Sequence, residues 1–123
     1  MKIAVSSQNR FNITGHAGRA SRFWIYKVND ADHKIISKDL VELPREDILH
    51  VRFHESTNPY AEHPVLDADI IITGSAGNGF INKMKGANVG VAITPEKNPD
   101  AANNKLLNDA LETINPEDYC HCH

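Results

Sequence analysis

Cysteine is scarce and confined: the chain has two, Cys120 and Cys122, both within its last four residues. Thiols placed there cannot staple a domain of 123 residues, so the fold has to rest on one hydrophobic core, which this length can supply. An excess of one charge is also missing. Thirteen Lys and Arg against sixteen Asp and Glu leave a formal charge of −3, with the basic residues scattered, which argues against a nucleic-acid partner. Long apolar runs are absent too. Nothing approaches the roughly 20 residues of a membrane span, and "MKIAVSSQNR" is too short and polar for a signal peptide. The expectation is a cytoplasmic protein with no membrane partner, a monomer or weak dimer.

What is present reads as alternating strands and helices. "KIAVS" suits a buried first strand, followed by a polar loop from Ser7 to Arg19. Arg22 to Leu43 reads as a hairpin, with "RFWIYKV" and "KIISKDLVEL" joined through the turn chemistry of "NDADH". "PREDILHVRFHES" predicts a short helix with Pro44 at its first position, and "TNPYAEHPVLD" reads as loop or irregular helix broken by Pro59 and Pro64. "ADIIITGSAGNGFINKMKGANVGVAIT" reads as a βαβ unit with parallel strands at 70–73 and 89–93. The last helix starts at an Asn cap followed by Pro99, carries apolar residues at Leu106, Leu107, Ala110, Leu111 and Ile114, and is expected to stop at Pro116.

Four groups of residues carry potential chemistry. In "TGHAGRA", Gly15 and Gly18 flank His16, and Arg19 follows. That pattern presents an imidazole ligand beside a guanidinium suited to an anion, or it is a plain surface loop. In "GSAGNGF", Gly74, Ser75, Gly77 and Gly79 lie between a strand and a helix, where backbone N–H groups attract anions. The spacing is neither a dinucleotide fingerprint nor a P-loop, so the alternative is a tight βα turn. His50 and His54 stand at i, i+4 on the predicted helix, a chelating geometry that is more often an ordinary polar face. His33 and His63 lack any constellation. The tail "YCHCH" concentrates Cys120, His121, Cys122 and His123, which as an extended segment point alternately to opposite sides. One ion cannot readily take all four; two thiolates with ligands from elsewhere would suit a divalent ion or Cu(I), and an incidental terminus is the alternative.

Taken together, "KIAVS", "HAGRASRFWIY" and "ADIIITGSAGNGF" resemble the dinitrogenase iron-molybdenum cofactor biosynthesis family from about Met1 to Ile114. His16-Ala17-Gly18-Arg19 matches that family's His-x-Gly-Arg motif after the first strand, and Gly74 to Gly79 its glycine-rich turn. The resemblance implies a ribonuclease-H-like α/β fold with a mixed sheet of about five strands flanked by helices. It implies a cluster-binding domain over residues 1–115 and a separate tail over 116–123. It also implies a non-catalytic carrier that binds an iron-sulfur or iron-molybdenum cluster transiently, with His16 as ligand, and exchanges it with donor and acceptor proteins. Where many members have His-Gly-Ala-Gly, this chain has "HESTNPYAEHP". Two other functions stand beside that reading: storage or sensing of Zn, Cu or Ni through the tail, and nuclease chemistry. The latter needs clustered carboxylates on the central strands, which these strands almost lack.

Overall fold

The structure is a computed structural model that describes residues 1–114. Five strands form one mixed sheet: β1 (Lys2–Ser6), β2 (Arg22–Val28), β3 (Ile35–Glu42), β4 (Ile70–Thr73) and β5 (Gly90–Ile93), in the order β3-β2-β1-β4-β5. The pairs β1–β2 and β2–β3 are antiparallel, whereas β1–β4 and β4–β5 are parallel. With α1 (Leu49–Glu55), α2 (Asn78–Gly86) and α3 (Pro99–Leu107) interleaved, this is the expected ribonuclease-H-like α/β arrangement.

Alternation along the strands sorts the apolar residues onto two faces. Ala4, Phe23, Ile25 and Ile71 face a core completed by Leu49 of α1 and Met84 of α2. Ile3, Val5, Tyr26 and Ile72 face the opposite core, which Ala102 of α3 covers. The hairpin and the βαβ unit fall where the sequence places them, the strand expected over 89–93 starting at Gly90.

Two helices depart from expectation. The segment from Pro44 is not one helix: a 3-10 turn covers Arg45–Asp47, Ile48 is extended (φ −57°, ψ 127°), and α1 begins only at Leu49. The break lets adjacent Ile48 and Leu49 both reach the core, which a continuous helix would direct to different sides. The last helix begins as predicted, with Asn98 Oδ1 accepting from Ala101 N at 3.0 Å, but it ends at Leu107 and not at Pro116. Asp109 turns left-handed (φ 55°). Ala110 N–H then bonds Lys105 O at 2.7 Å and Asp109 N–H bonds Leu106 O at 3.2 Å, the paired bonds of a Schellman stop. Leu111 still packs on the second core, and Ile114 N–H donates to Ile93 O at 2.7 Å, so the apolar residues beyond 107 are used by non-helical chain.

The irregular segment after α1 is held by two residues. Arg52 is nearly buried and donates to the carbonyls of Pro59 (2.8 Å), Ala61 (2.7 Å) and Glu62 (3.2 Å), and to Asp47 Oδ1 at 3.3 Å. His63 is 2% exposed; its Nδ1 accepts from Val65 N–H at 3.0 Å, and its Nε2 lies 2.7 Å from Asp47 O. Both contacts are satisfied together only by the neutral tautomer that carries its proton on Nε2. Burial, and secondarily the nearby Arg52 charge, hold its pKa below the ordinary histidine value, against the pull of Asp47. A depressed folded pKa means that the unfolded chain binds the extra proton first. The stabilisation is therefore complete above about pH 6.5 and drains away as pH falls, with a slope of up to about 1.4 kcal/mol per pH unit. Urea titrations between pH 7.5 and 5 should show this slope in the wild type and lose it in His63→Gln; equal slopes in both chains would refute it.

Candidate functional site

The His16 loop leaves β1 and settles over the carboxyl ends of β1 and β4, the end of a parallel pair where α/β sheets bind ligands. Thr14 anchors it. Its N–H donates to Ser6 O at 2.9 Å and its carbonyl accepts from Gly74 N–H at 3.1 Å. Buried Ser6 Oγ lies 2.6 Å from the same carbonyl and 2.9 Å from Thr73 Oγ1. Next along the chain, His16 N–H reaches Ser75 Oγ at 2.9 Å and Ser75 O at 3.1 Å. These bonds hold His16 in the left-handed region, φ 57° and ψ 59°, a conformation that costs a non-glycine residue roughly 1–3 kcal/mol. Arg19 N–H closes the 3-10 turn Ala17–Arg19 onto His16 O at 2.8 Å. The result is an exposed imidazole on a backbone fixed from both sides.

The glycines divide into two groups. A Cβ on Gly15 would sit 2.5 Å from Ser75 Oγ, one on Gly74 would meet the Gly15 backbone at 3.3 Å, and one on Gly18 would meet the Phe80 ring at 3.3 Å. These three are required because the loop, the βα turn and α2 approach one another closely. At Gly77 and Gly79 a Cβ would meet nothing within 4 Å, so there the backbone borders open space. Gly77 is the N-cap of α2, with no side-chain cap, which leaves the first-turn amides of that helix facing outward for a negative group.

His16, Gly18, Arg19, Ala76, Gly77 and Phe80 line a shallow recess of about 130 Å³. Larger concavities exist, one of about 440 Å³ beside Tyr60 and His63, but that one gathers neither glycine motif. The other half of the motif region, Gly15 and Gly74, borders a neighbouring depression that also includes Lys97. The structure thus brings His16, Gly18, Arg19 and Gly77 to one recess. Ser75 acts behind it through the loop backbone.

One wall residue was not singled out for this site by local sequence reading. His50, second residue of α1, also lines the recess. Its ring lies 4.6 Å from that of His54, centroid to centroid. Partial desolvation, then the positive charges of Arg19, His54 and Lys83, hold its pKa below the ordinary value. Lys83 of α2 in turn sits 5.6 Å above the Phe53 ring of α1, so two cations, Arg19 and Lys83, lie near His50. Among the described residues no group of three or more His, Cys, Asp or Glu side chains is gathered to hold a metal ion. Cys120, His121, Cys122 and His123, proposed from sequence as tail ligands, lie outside the described residues. Within the described residues no helix is long and apolar enough to cross a membrane.

The family model described as "Dinitrogenase iron-molybdenum cofactor" matches residues 1–109. No curated protein matches the chain. Among solved structures, the chain is similar to a protein of Methanocaldococcus jannaschii named for dinitrogenase, at 15% identity over 93% of this chain and 94% of that one, with a TM-score of 0.66. It is similar to the apo form of the orange protein from Desulfovibrio gigas, at 18% identity over 92% of each chain and a TM-score of 0.60. A third relative, a Thermotoga protein named for NifB, is 15% identical over 91% of each chain, with a TM-score of 0.57. At these identities the likeness establishes the shared fold.

Proposed function

The chain belongs to the dinitrogenase iron-molybdenum cofactor family, and from that premise we propose that it binds an anionic iron-sulfur or iron-molybdenum cluster and passes it between donor and acceptor proteins without catalysing a reaction. The observation that carries this reading is His16, an exposed side chain on a left-handed backbone clamped by Ser75. Strain of that kind persists where the surroundings over-determine it, and it places one imidazole at a fixed point above the recess.

The rest of the recess suits such a cargo. A cluster built from sulfide and iron carries negative charge, which Arg19 and the open amides at the start of α2 complement. Gly77 and Gly79 leave room for a bulky inorganic body. The absence of a gathered cage among the described residues suits cargo that must leave again, since a site with few protein ligands releases metal more readily than a closed four-cysteine site.

Anaerobic reconstitution with iron and sulfide, followed by metal analysis and absorption spectra, tests the reading. Wild type and a chain ending at Tyr119 should both retain cluster, whereas His16→Ala should retain it with roughly 10- to 100-fold lower affinity, as when a metal site loses a directing group. Equal retention by His16→Ala, with loss in the truncated chain, would transfer the function to the tail.

A further inference from the structure

The geometry points to a second protein ligand for the cargo: His50 of α1, which lines the same recess as His16, so that the cluster is held at the mouth between two imidazoles from different elements. This rests on the cluster-binding reading of the same recess. His16 and His50 both line it, and both are exposed, free to offer a ring nitrogen. The recess is shallow and open to solvent. A cargo seated there lies at its opening, where the side chains that line it can reach it.

The two ligands are mounted differently. His16 stands on a clamped loop. His50 stands on a helix whose position is set by the neighbouring Leu49, 0% exposed, and by the four hydrogen bonds of Arg52. The 3-10 turn that carries Arg19 packs against α1, so the distance between the two mounts is fixed by the core. His54 packs its ring against that of His50 at 4.6 Å and 60°, which restricts where the His50 imidazole can swing.

Charge decides between two possible cargoes for His50. An i, i+4 histidine pair can chelate a bare divalent ion, and His50 with His54 has that spacing. Arg19 and Lys83, however, both place positive charge on His50. Such surroundings repel a dication and attract an anionic cluster whose metal is open to a neutral ligand. His50 therefore belongs to the cluster, and His54 is a positioning residue. Two imidazoles hold the cluster by two of its metals, and the terminal positions that its sulfides leave open on the others are filled by small solution ligands such as thiol or water; this fits cargo in transit and a recess where the described residues gather no group of three ligands.

The test uses the full chain labelled with 15N-histidine, loaded anaerobically with iron and sulfide and reduced, and counts histidine nitrogen couplings by pulsed electron paramagnetic resonance. Two couplings are expected in wild type and in His54→Ala, and one in each of His16→Ala, His50→Ala and His50→Gln. Retention should fall roughly tenfold or more in both His50 variants. A single wild-type coupling that disappears in His16→Ala but survives in the His50 variants would overturn the second ligand while leaving the proposed function intact. No cluster in wild type would overturn both. Zinc alone, titrated into wild type and His54→Ala, separates the remaining case: tight binding lost with His54 would make the pair a bare-ion site and refute the assignment of His50 to the cluster.

Discussion

Leu49→Ala lowers the unfolding free energy by about 3–4 kcal/mol, the range for truncating a buried leucine in a core that cannot collapse around the gap. Leu49 is fully buried, against the face formed by Ala4, Phe23 and Ile71. It is the one fully buried side chain of α1, a helix of seven residues that is far too short to hold itself in water. The helix's one fully buried anchor is therefore removed in one substitution, leaving half-buried Phe53 on the same core and Arg52 as a polar tether to the segment after it. Urea unfolding followed through Trp24, the chain's single tryptophan, measures the loss. The functional consequence is selective: His50 leaves the recess with the helix, whereas His16 remains clamped to β4 through Thr14 and Ser75. Cluster retention should fall in Leu49→Ala to the level of His50→Ala and no further. A loss below 1 kcal/mol would show that α1 is held by something other than this contact.

Gly15→Ala costs about 2–4 kcal/mol and uncouples His16 from the βα turn. The new Cβ would lie 2.5 Å from Ser75 Oγ, closer than any real contact, so the hydroxyl must move. That hydroxyl is also the acceptor, at 2.9 Å, for His16 N–H. Overpacking at a tight site costs about 1–3 kcal/mol, and the weakened hydrogen bond adds about 1 kcal/mol. Ser75→Ala separates these contributions. In the double variant the clash with Oγ is gone but the bond to Ser75 Oγ is still missing, so stability should recover by more than half while cluster retention stays low. A double variant no more stable than Gly15→Ala would mean that the clash with Ser75 Oγ is not what destabilises the loop, since the nearest backbone atom to the new Cβ, Ser75 N, lies at an ordinary 3.8 Å.

The parts of the fold legible in the sequence are those whose signals are local. Alternation in "RFWIYKV" and punctuation by "NDADH" place the hairpin, and the run "IIIT" followed by glycines places β4 and the start of α2. The end of α3 was hidden because the stop is made by Asp109 in a conformation more usual for glycine, while Leu111 continues the apolar period for a different reason, packing from non-helical chain. The break at Ile48 was hidden because Pro44 and the acids after it imitate a helix start, and only the packing shows that Ile48 and Leu49 both turn to the same core. The site divides the same way. His16, Arg19 and the glycines are recognisable as a motif, but why Gly15 and Gly74 are glycines is a matter of two distant backbones in contact. In the sequence His50 shows only as half of an i, i+4 pair on its own helix. Its partnership with His16 exists only because α1 packs against the 17–19 turn.

The most direct test of the account is a nuclear magnetic resonance titration of anaerobic, histidine-labelled protein with purified iron-molybdenum cofactor, following all seven imidazoles for paramagnetic broadening. His16 and His50 should broaden first and His54 next, while buried His63 and the turn residue His33 keep their linewidths. Broadening confined to His121 and His123, with His16 unchanged, would contradict it.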